Sequence, residues 1–177
     1  AALASIDSGP RSSGAAIGPS DGGDPERTVS KPKSVFIVHG HDPANHREAV
    51  ARLIENKTDL EAVILAGQPN LGQHLPNKLM PLGTECIAVV LMTADDEGRA
   101  KASDDPSYQE RARQNVVLEL GYFLAKLPAE RVIVLYSSGV EMPSDFAGVC
   151  YYPLDDAWRF NLAKELHAIG VNVTFPV

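Results

Sequence analysis

The apolar residues fall into short unbroken runs separated by stretches with helical spacing. Val35-Phe36-Ile37-Val38, Cys86-Ile87-Ala88-Val89-Val90-Leu91 and Val132-Ile133-Val134-Leu135 lack polar alternation. Such runs suit strands covered on both faces. Residues 60–65 and 149–154 supply two weaker strands, for five in all. Between the first two strands, residues 45–56 put Ala49, Val50, Leu53 and Ile54 on one helical face, with Pro43 suited to its start. Residues 73–82 predict a short helix with Pro76 in its first turn. Residues 114–126 predict a longer one, with Val116, Leu120, Phe123, Leu124 and Leu127 on a single stripe. Arg111, Asn115 and Glu119 are four apart and line its flank. A last helix, to about residue 168, is expected to take Asp156 as its cap and to turn Trp158, Leu162 and Leu166 inward.

Strand and helix thus alternate five times. That pattern predicts an α/β domain with a flavodoxin-like, five-stranded parallel sheet, strand order 2-1-3-4-5, and helices on both faces. The domain is expected over 34–177, ending in a short tail from 171. Residues 1–33 have no aromatic residue and are dense in Gly, Ser and Pro, so a disordered tail or linker is expected there.

Composition narrows the partners. A formal net charge of -7 argues against a nucleic-acid surface. No apolar run approaches the roughly 20 residues of a membrane span, and no secretory signal stands at the start. Cys86 and Cys150 sit in separate strands with a third between them, so they are expected as free thiols in a reducing, cytoplasmic setting. The chain opens on Ala1, which suggests processing or a piece of something longer.

In such sheets ligands bind beyond the carboxyl ends of the strands, where the order reverses. Four polar segments converge there: Gly40-His41-Asp42, the 66–72 loop, Thr93-Ala94-Asp95-Asp96, and the helix bearing Glu119. A carboxylate at the border of an apolar face is partly dried, a reasonable place for chemistry. Each segment also has a plainer reading. Gly40 alone reads as the glycine of a strand-to-helix turn. His39 and His41 suit a metal edge, but no further ligands follow at zinc spacing. The Thr93 to Glu97 stretch reads as readily as a solvated acidic loop, with a cation site the lesser alternative, Gln68-Pro69-Asn70 as a turn, and Glu119 as a salt-bridged surface residue. Neither a Gly-x-Gly-x-x-Gly fingerprint nor a P-loop lysine is present, and no Gly-x-Ser-x-Gly elbow.

Five segments together resemble the TIR-like nucleotide-binding family, which supplies effector domains to cyclic-nucleotide-triggered anti-phage systems of the CBASS and Pycsar types. They are Val35 through Asp42, Gln68-Pro69-Asn70-x-Gly72, Thr93 through Gly98, Arg111 through Phe123, and Pro143 through Val149. The block Arg-x-Arg-Gln-Asn to Gly-Tyr-Phe is the most specific. The resemblance covers about residues 34–170. It implies a TIR fold and, in active members, cleavage of NAD as substrate, with no cofactor and no metal. It places the catalytic glutamate on Glu119 and a gating and self-association loop on residues 66–74. Substrate contacts are then expected from Gly40, His41, Asp42, Asn70, Leu71, Thr93, Asp95 and Asn115. The chain departs from the family pattern at Gly67 and Leu71, which flank Gln-Pro-Asn, and at Pro76 and Pro81.

The chemistry suits one carboxylate. The bond from nicotinamide to ribose breaks through an oxocarbenium-like state, which a carboxylate beside the ribose stabilises. Nicotinamide leaves as a neutral molecule from a cationic ring, so no general acid is required. Two other readings keep the same fold: a self-associating scaffold without turnover, and an N-glycosidic transferase on nucleosides or nucleotides. A cyclic-nucleotide sensor would need a fold of its own outside this chain, and an N-terminal position is expected for it.

Overall fold

A computed structural model describes residues 30–65, 85–99, 101, 107–143 and 148–175. The expected 66–74 loop, the 73–82 helix and most of the 1–33 tail lie outside the described residues, as do Asn70 and Leu71. In chain order the elements are β1 (Ser34–Val38), α1 (His46–Lys57), β2 (Glu61–Ile64), β3 (Cys86–Met92), β4 (Asp96–Gly98) and β5 (Gln109–Arg111). There follow α2 (Gln114–Lys126), a 3-10 turn (Ala129–Arg131), β6 (Val132–Tyr136), β7 (Cys150–Pro153) and α3 (Trp158–Ala168).

Five strands form one parallel sheet in the order β2-β1-β3-β6-β7. Counted within the sheet alone this is 2-1-3-4-5, as the alternation of strand and helix predicts. β3 is buried at all seven positions, as a central strand covered on both faces must be. Side chains alternate between the two faces. Val35, Ile37, Val89 and Leu135 meet α1 and α3 on one side. Phe36, Val38, Val90 and Val134 meet α2 on the other. Val116, Leu120 and Phe123 of α2 are buried, and the Phe123 ring stacks on Phe36 with centroids 6.3 Å apart. A fully buried side chain of that size stabilises by about 1.5–3 kcal/mol. Cys86 and Cys150 are free, on strands separated by β6.

Three expectations change. First, β4 and β5 pair as an antiparallel hairpin, which the alternation of strand and helix does not predict. Second, Arg111 is not on the helix flank. It ends β5, and Arg113, with φ -52 and ψ 142, breaks the path so that α2 starts at Gln114. The four-residue row along α2 therefore holds Asn115 and Glu119 only. Third, Asp156 does not cap α3. The N-cap is Ala157, with no side-chain cap, and Asp155 Oδ1 accepts from Ala157 N at 2.9 Å.

Both ends of the described chain are fastened. The buried Arg131 guanidinium donates to Ser30 O at 2.6 Å, and Lys33 N donates to Glu85 O at 2.9 Å. Residues 30–33 therefore lie against the amino-terminal edge of the sheet, opposite the carboxyl edge. At the other end, Thr174 N donates to Lys57 O at 2.7 Å, and Phe175 meets Phe160. α3 is seated on β7 through Glu165, which accepts from Tyr152 Oη at 2.5 Å and from Cys150 Sγ at 3.4 Å. That hydrogen bond, with burial behind it, pushes the Tyr152 phenol up to about 12. The folded value lies above the ordinary 10, so the contribution to stability is full below pH 10 and is lost as pH rises toward about 12. Phenolate absorbance should show a late step that disappears in Tyr152→Phe and moves back toward 10 in Glu165→Ala. An unmoved step in Glu165→Ala would contradict this assignment.

Candidate active site

The carboxyl ends of β1 and β3 are held together by Asp95. Its Oδ2 accepts from the buried Thr93 hydroxyl at 2.9 Å, and its Oδ1 accepts from Asp42 N at 3.3 Å. Its own N–H donates to Thr93 O at 2.9 Å and Arg111 O at 3.2 Å. One residue thus ties the loop after β1, the end of β3 and the strand leading into α2. Gly40 packs directly on this carboxylate: a Cβ at Gly40 would overlap Asp95 and come within 3.6 Å of Arg113 Cβ. The turn itself does not use Gly40. The left-handed residues are Asp42, φ 48, and Asn45, φ 57. Asn and Asp tolerate that region better than other side chains do. Gly40 is required for close approach rather than for its backbone freedom.

Asp42 is 2% exposed and faces α1. Its Oδ1 accepts from His46 N at 2.9 Å and His46 Nδ1 at 3.0 Å, and its Oδ2 from Arg47 N at 2.8 Å. It therefore satisfies two of the donors left open at a helix start, the work Asn45 as N-cap leaves undone. His41 is exposed, and its Nδ1 lies 3.0 Å from Arg113 Nη1. His39 Nδ1 lies 2.7 Å from Gly40 O, and its buried Nε2 has no hydrogen-bond partner among the described residues. Among the described residues no group of His, Cys, Asp and Glu is placed to hold a metal ion.

α2 starts over this edge and buries one face in the sheet, so its flanks frame two spaces. Asn115 and Glu119 share one flank, a turn apart; Asn115 is exposed and Glu119 half-buried. Gln114 and Val117 share the other flank, where they line a cavity of about 560 Å³. Its further walls are the β4–β5 hairpin, through Asp96, Glu97 and Arg111, and the segment after β6, through Glu141, Met142 and Pro143. The Arg111 guanidinium pairs with Glu141 across that wall, and Glu141 N donates to Glu110 O at 2.8 Å. Gly98 leaves room for the Arg111 guanidinium, which a Cβ would overlap.

Of the expected site residues, Gly40, His41, Asp42, Thr93 and Asp95 lie together at the β1–β3 edge. Asn115 and Glu119 lie on the helix whose N-terminus reaches Gly40 and His41 through Arg113. Sequence reasoning missed the cavity on the far flank and the Arg111–Glu141 pair. The hairpin strands have no apolar alternation, so no periodic signal marks them.

This sheet order is the flavodoxin-like one and is consistent with a TIR fold. Residues 34–156 match the family described as CAP12/Pycsar effector protein, TIR domain, and the chain belongs to it. It is 44% identical over 153 residues to YuaY of Escherichia coli (strain K12), covering 84% of this chain and 50% of that protein. It is also 38% identical over 69 residues to the Pycsar effector protein BcPycTIR of Burkholderia cepacia, covering 38% of this chain and 22% of that protein. The chain therefore matches half or less of the length of these relatives. Among the described residues no helix is long and apolar enough to cross a membrane.

The Gly40–Asp95 contact makes a direct prediction. Gly40→Ala must push the loop after β1 off the Asp95 carboxylate and should lower stability by about 1–3 kcal/mol, the usual cost of overpacking. Urea unfolding measures it, and an unchanged midpoint would contradict the contact.

Proposed function

We propose that this TIR domain cleaves NAD at the bond between nicotinamide and ribose, as an assembly-activated effector of bacterial anti-phage defence. The observation that carries the reading is Glu119 itself. It is a half-buried carboxylate one turn beyond Asn115, on the helix over the β1–β3 edge, in a chain of the CAP12/Pycsar effector TIR family.

In this reading the ribose lies against Glu119. The glycosidic bonding pair departs with the nicotinamide nitrogen, which becomes neutral. The positive charge passes to the ribose C1′ and ring oxygen, where the Glu119 carboxylate stabilises it. Water then adds at C1′ and loses a proton, giving linear ADP-ribose; attack by a group of the same molecule gives a cyclic product instead. Asn115 supplies an amide to a ribose hydroxyl. Gly40, His41 and Thr93 shape the edge of the crevice. The Asp42 and Asp95 carboxylates are engaged by α1 and by the strand ends, so they position the site. Asn70 and Leu71 are assigned to the substrate, and the 66–74 loop to self-association, on the family likeness alone. A cyclic-nucleotide sensor belongs to a part of the protein outside this chain. The free thiols suit a reducing cytoplasm.

Incubating concentrated protein with NAD and following free nicotinamide tests the proposal. Glu119→Gln keeps the size of the side chain and removes its charge. It should cut release by about 100-fold or more, the scale of losing one electrostatic stabiliser of the transition state, with unchanged circular dichroism. Equal release by parent and variant would remove the site assignment. No release from the parent, even when crowded into assemblies, would leave a signalling scaffold.

A further inference from the structure

The cations at the carboxyl edge divide by partner. Arg47 donates to His41 O at 3.2 Å and lies 3.9 Å from the Asp42 carboxylate. His46 Nδ1 lies 3.0 Å from the same carboxylate. Arg111 is paired with Glu141, and the Arg99 guanidinium lies 5.2 Å from the centre of the Tyr108 ring. Arg113 differs. It is exposed, and among the described residues no carboxylate pairs with it. The Asp95 carboxylate stands just behind Gly40 but takes its hydrogen bonds from Thr93 and Asp42.

What holds Arg113 instead is His41, whose Nδ1 lies 3.0 Å from Arg113 Nη1. A guanidinium only donates and stays charged, so Nδ1 accepts and the ring proton sits on Nε2. That contact uses one donor of the guanidinium and leaves the rest of its planar fork open. The fork also stands on the side of α2 that carries Glu119. β1 and β6 flank β3 on opposite sides. The segment after β6 walls the Gln114 and Val117 flank, so the Asn115 and Glu119 flank faces the β1 side. There Arg113 meets His41 and packs toward Gly40, both just beyond β1. Arg113 precedes Glu119 by about 9 Å along the helix axis. One ribose and the arm of an arginine bridge that gap, with Asn115 between.

We propose that Arg113, held in place by His41, binds the pyrophosphate of the dinucleotide and makes the site select a dinucleotide over nicotinamide riboside. The substrate class rests on the NAD-cleaving reading above; the contact between Arg113 and a pyrophosphate does not depend on turnover. An arginine fork meets phosphate oxygens with two parallel hydrogen bonds, and here no carboxylate partner has to be displaced first. In a chain of net charge -7 a negative pyrophosphate is otherwise repelled. Nicotinamide riboside offers the same ribose to Glu119 and Asn115 but has no phosphate, so it gains nothing from Arg113. His41 touches Arg113 rather than the reacting atoms and is a positioning residue.

The test measures nicotinamide release from NAD and from nicotinamide riboside by the parent chain and by Arg113→Gln. The ratio of kcat/KM for NAD to that for the riboside should fall about tenfold to 100-fold in the variant, the scale of charge-assisted hydrogen bonds, through a raised KM for NAD. Arg113→Lys should recover part of the ratio, since it keeps the charge and loses the fork. His41→Ala should lower the ratio less, and no further once Arg113 is already replaced. A general disturbance of the helix start would slow both substrates together and leave the ratio unmoved. That result, or equal kcat/KM for the two substrates in the parent, would overturn the assignment. Calorimetric titration of ADP-ribose into the Glu119→Gln chain, with and without Arg113→Gln, tests the contact apart from turnover. Binding about tenfold weaker without the arginine, in a protein whose parent releases no nicotinamide, would uphold the contact and overturn the reaction reading. Binding that is absent, or equal with and without the arginine, would overturn the contact and leave release at Glu119 standing.

Discussion

The carboxyl edge of the sheet depends on the contact between Asp95 and the loop after β1. Hydrogen bonds to a charged group contribute about 1.5–3 kcal/mol each, and this carboxylate takes one from Thr93 and one from Asp42. Through its own N–H to Arg111 O it also fixes where β5 ends and hence where α2 begins. Gly40 is the steric condition for that contact. Without it β1 and β3 would still pair, because their register is set by the buried run from Val35 to Val38. The polar loops above them would lose their common anchor.

The acidic residues here divide by environment. Asp42 and Asp95 are taken up by backbone N–H groups and hydroxyls, so they act through geometry. Asp96 and Glu97 sit one and two positions further on, exposed, Asp96 opposite Arg111 and Glu97 opposite Glu110 across the hairpin. Glu119 stands between these extremes, half-buried beside the apolar face of α2. A net charge of -7 says little about binding until the carboxylates are sorted in this way. In the proposed reaction the first pair builds the crevice and Glu119 meets the developing charge.

The sheet was legible because its strands are unbroken apolar runs. β3 and β6 can only be central strands, and the alternation with helices fixes a parallel order. The stripe on α2 was equally legible, and with it the flank position of Glu119. What sequence reading missed depends on contacts distant in the chain. The Asp42–Asp95 bond joins residues 53 apart and the Arg111–Glu141 pair residues 30 apart. Neither leaves a periodic trace. Arg111 was misplaced because a four-residue spacing continues the helical phase past Arg113, where the backbone has already turned. Asp156 was misplaced because a cap-type residue beside a helix start does not compel a cap; Asp155 closes the turn instead. The role of Gly40 was read as conformational freedom, and only the packing against Asp95 reveals it as a need for space.

A crystal structure of the Glu119→Gln chain with NAD bound tests the account most directly. The account predicts nicotinamide ribose beside residue 119 and Asn115, on the α2 side of the sheet. NAD bound on the α1–α3 face of the sheet, away from α2, would contradict it.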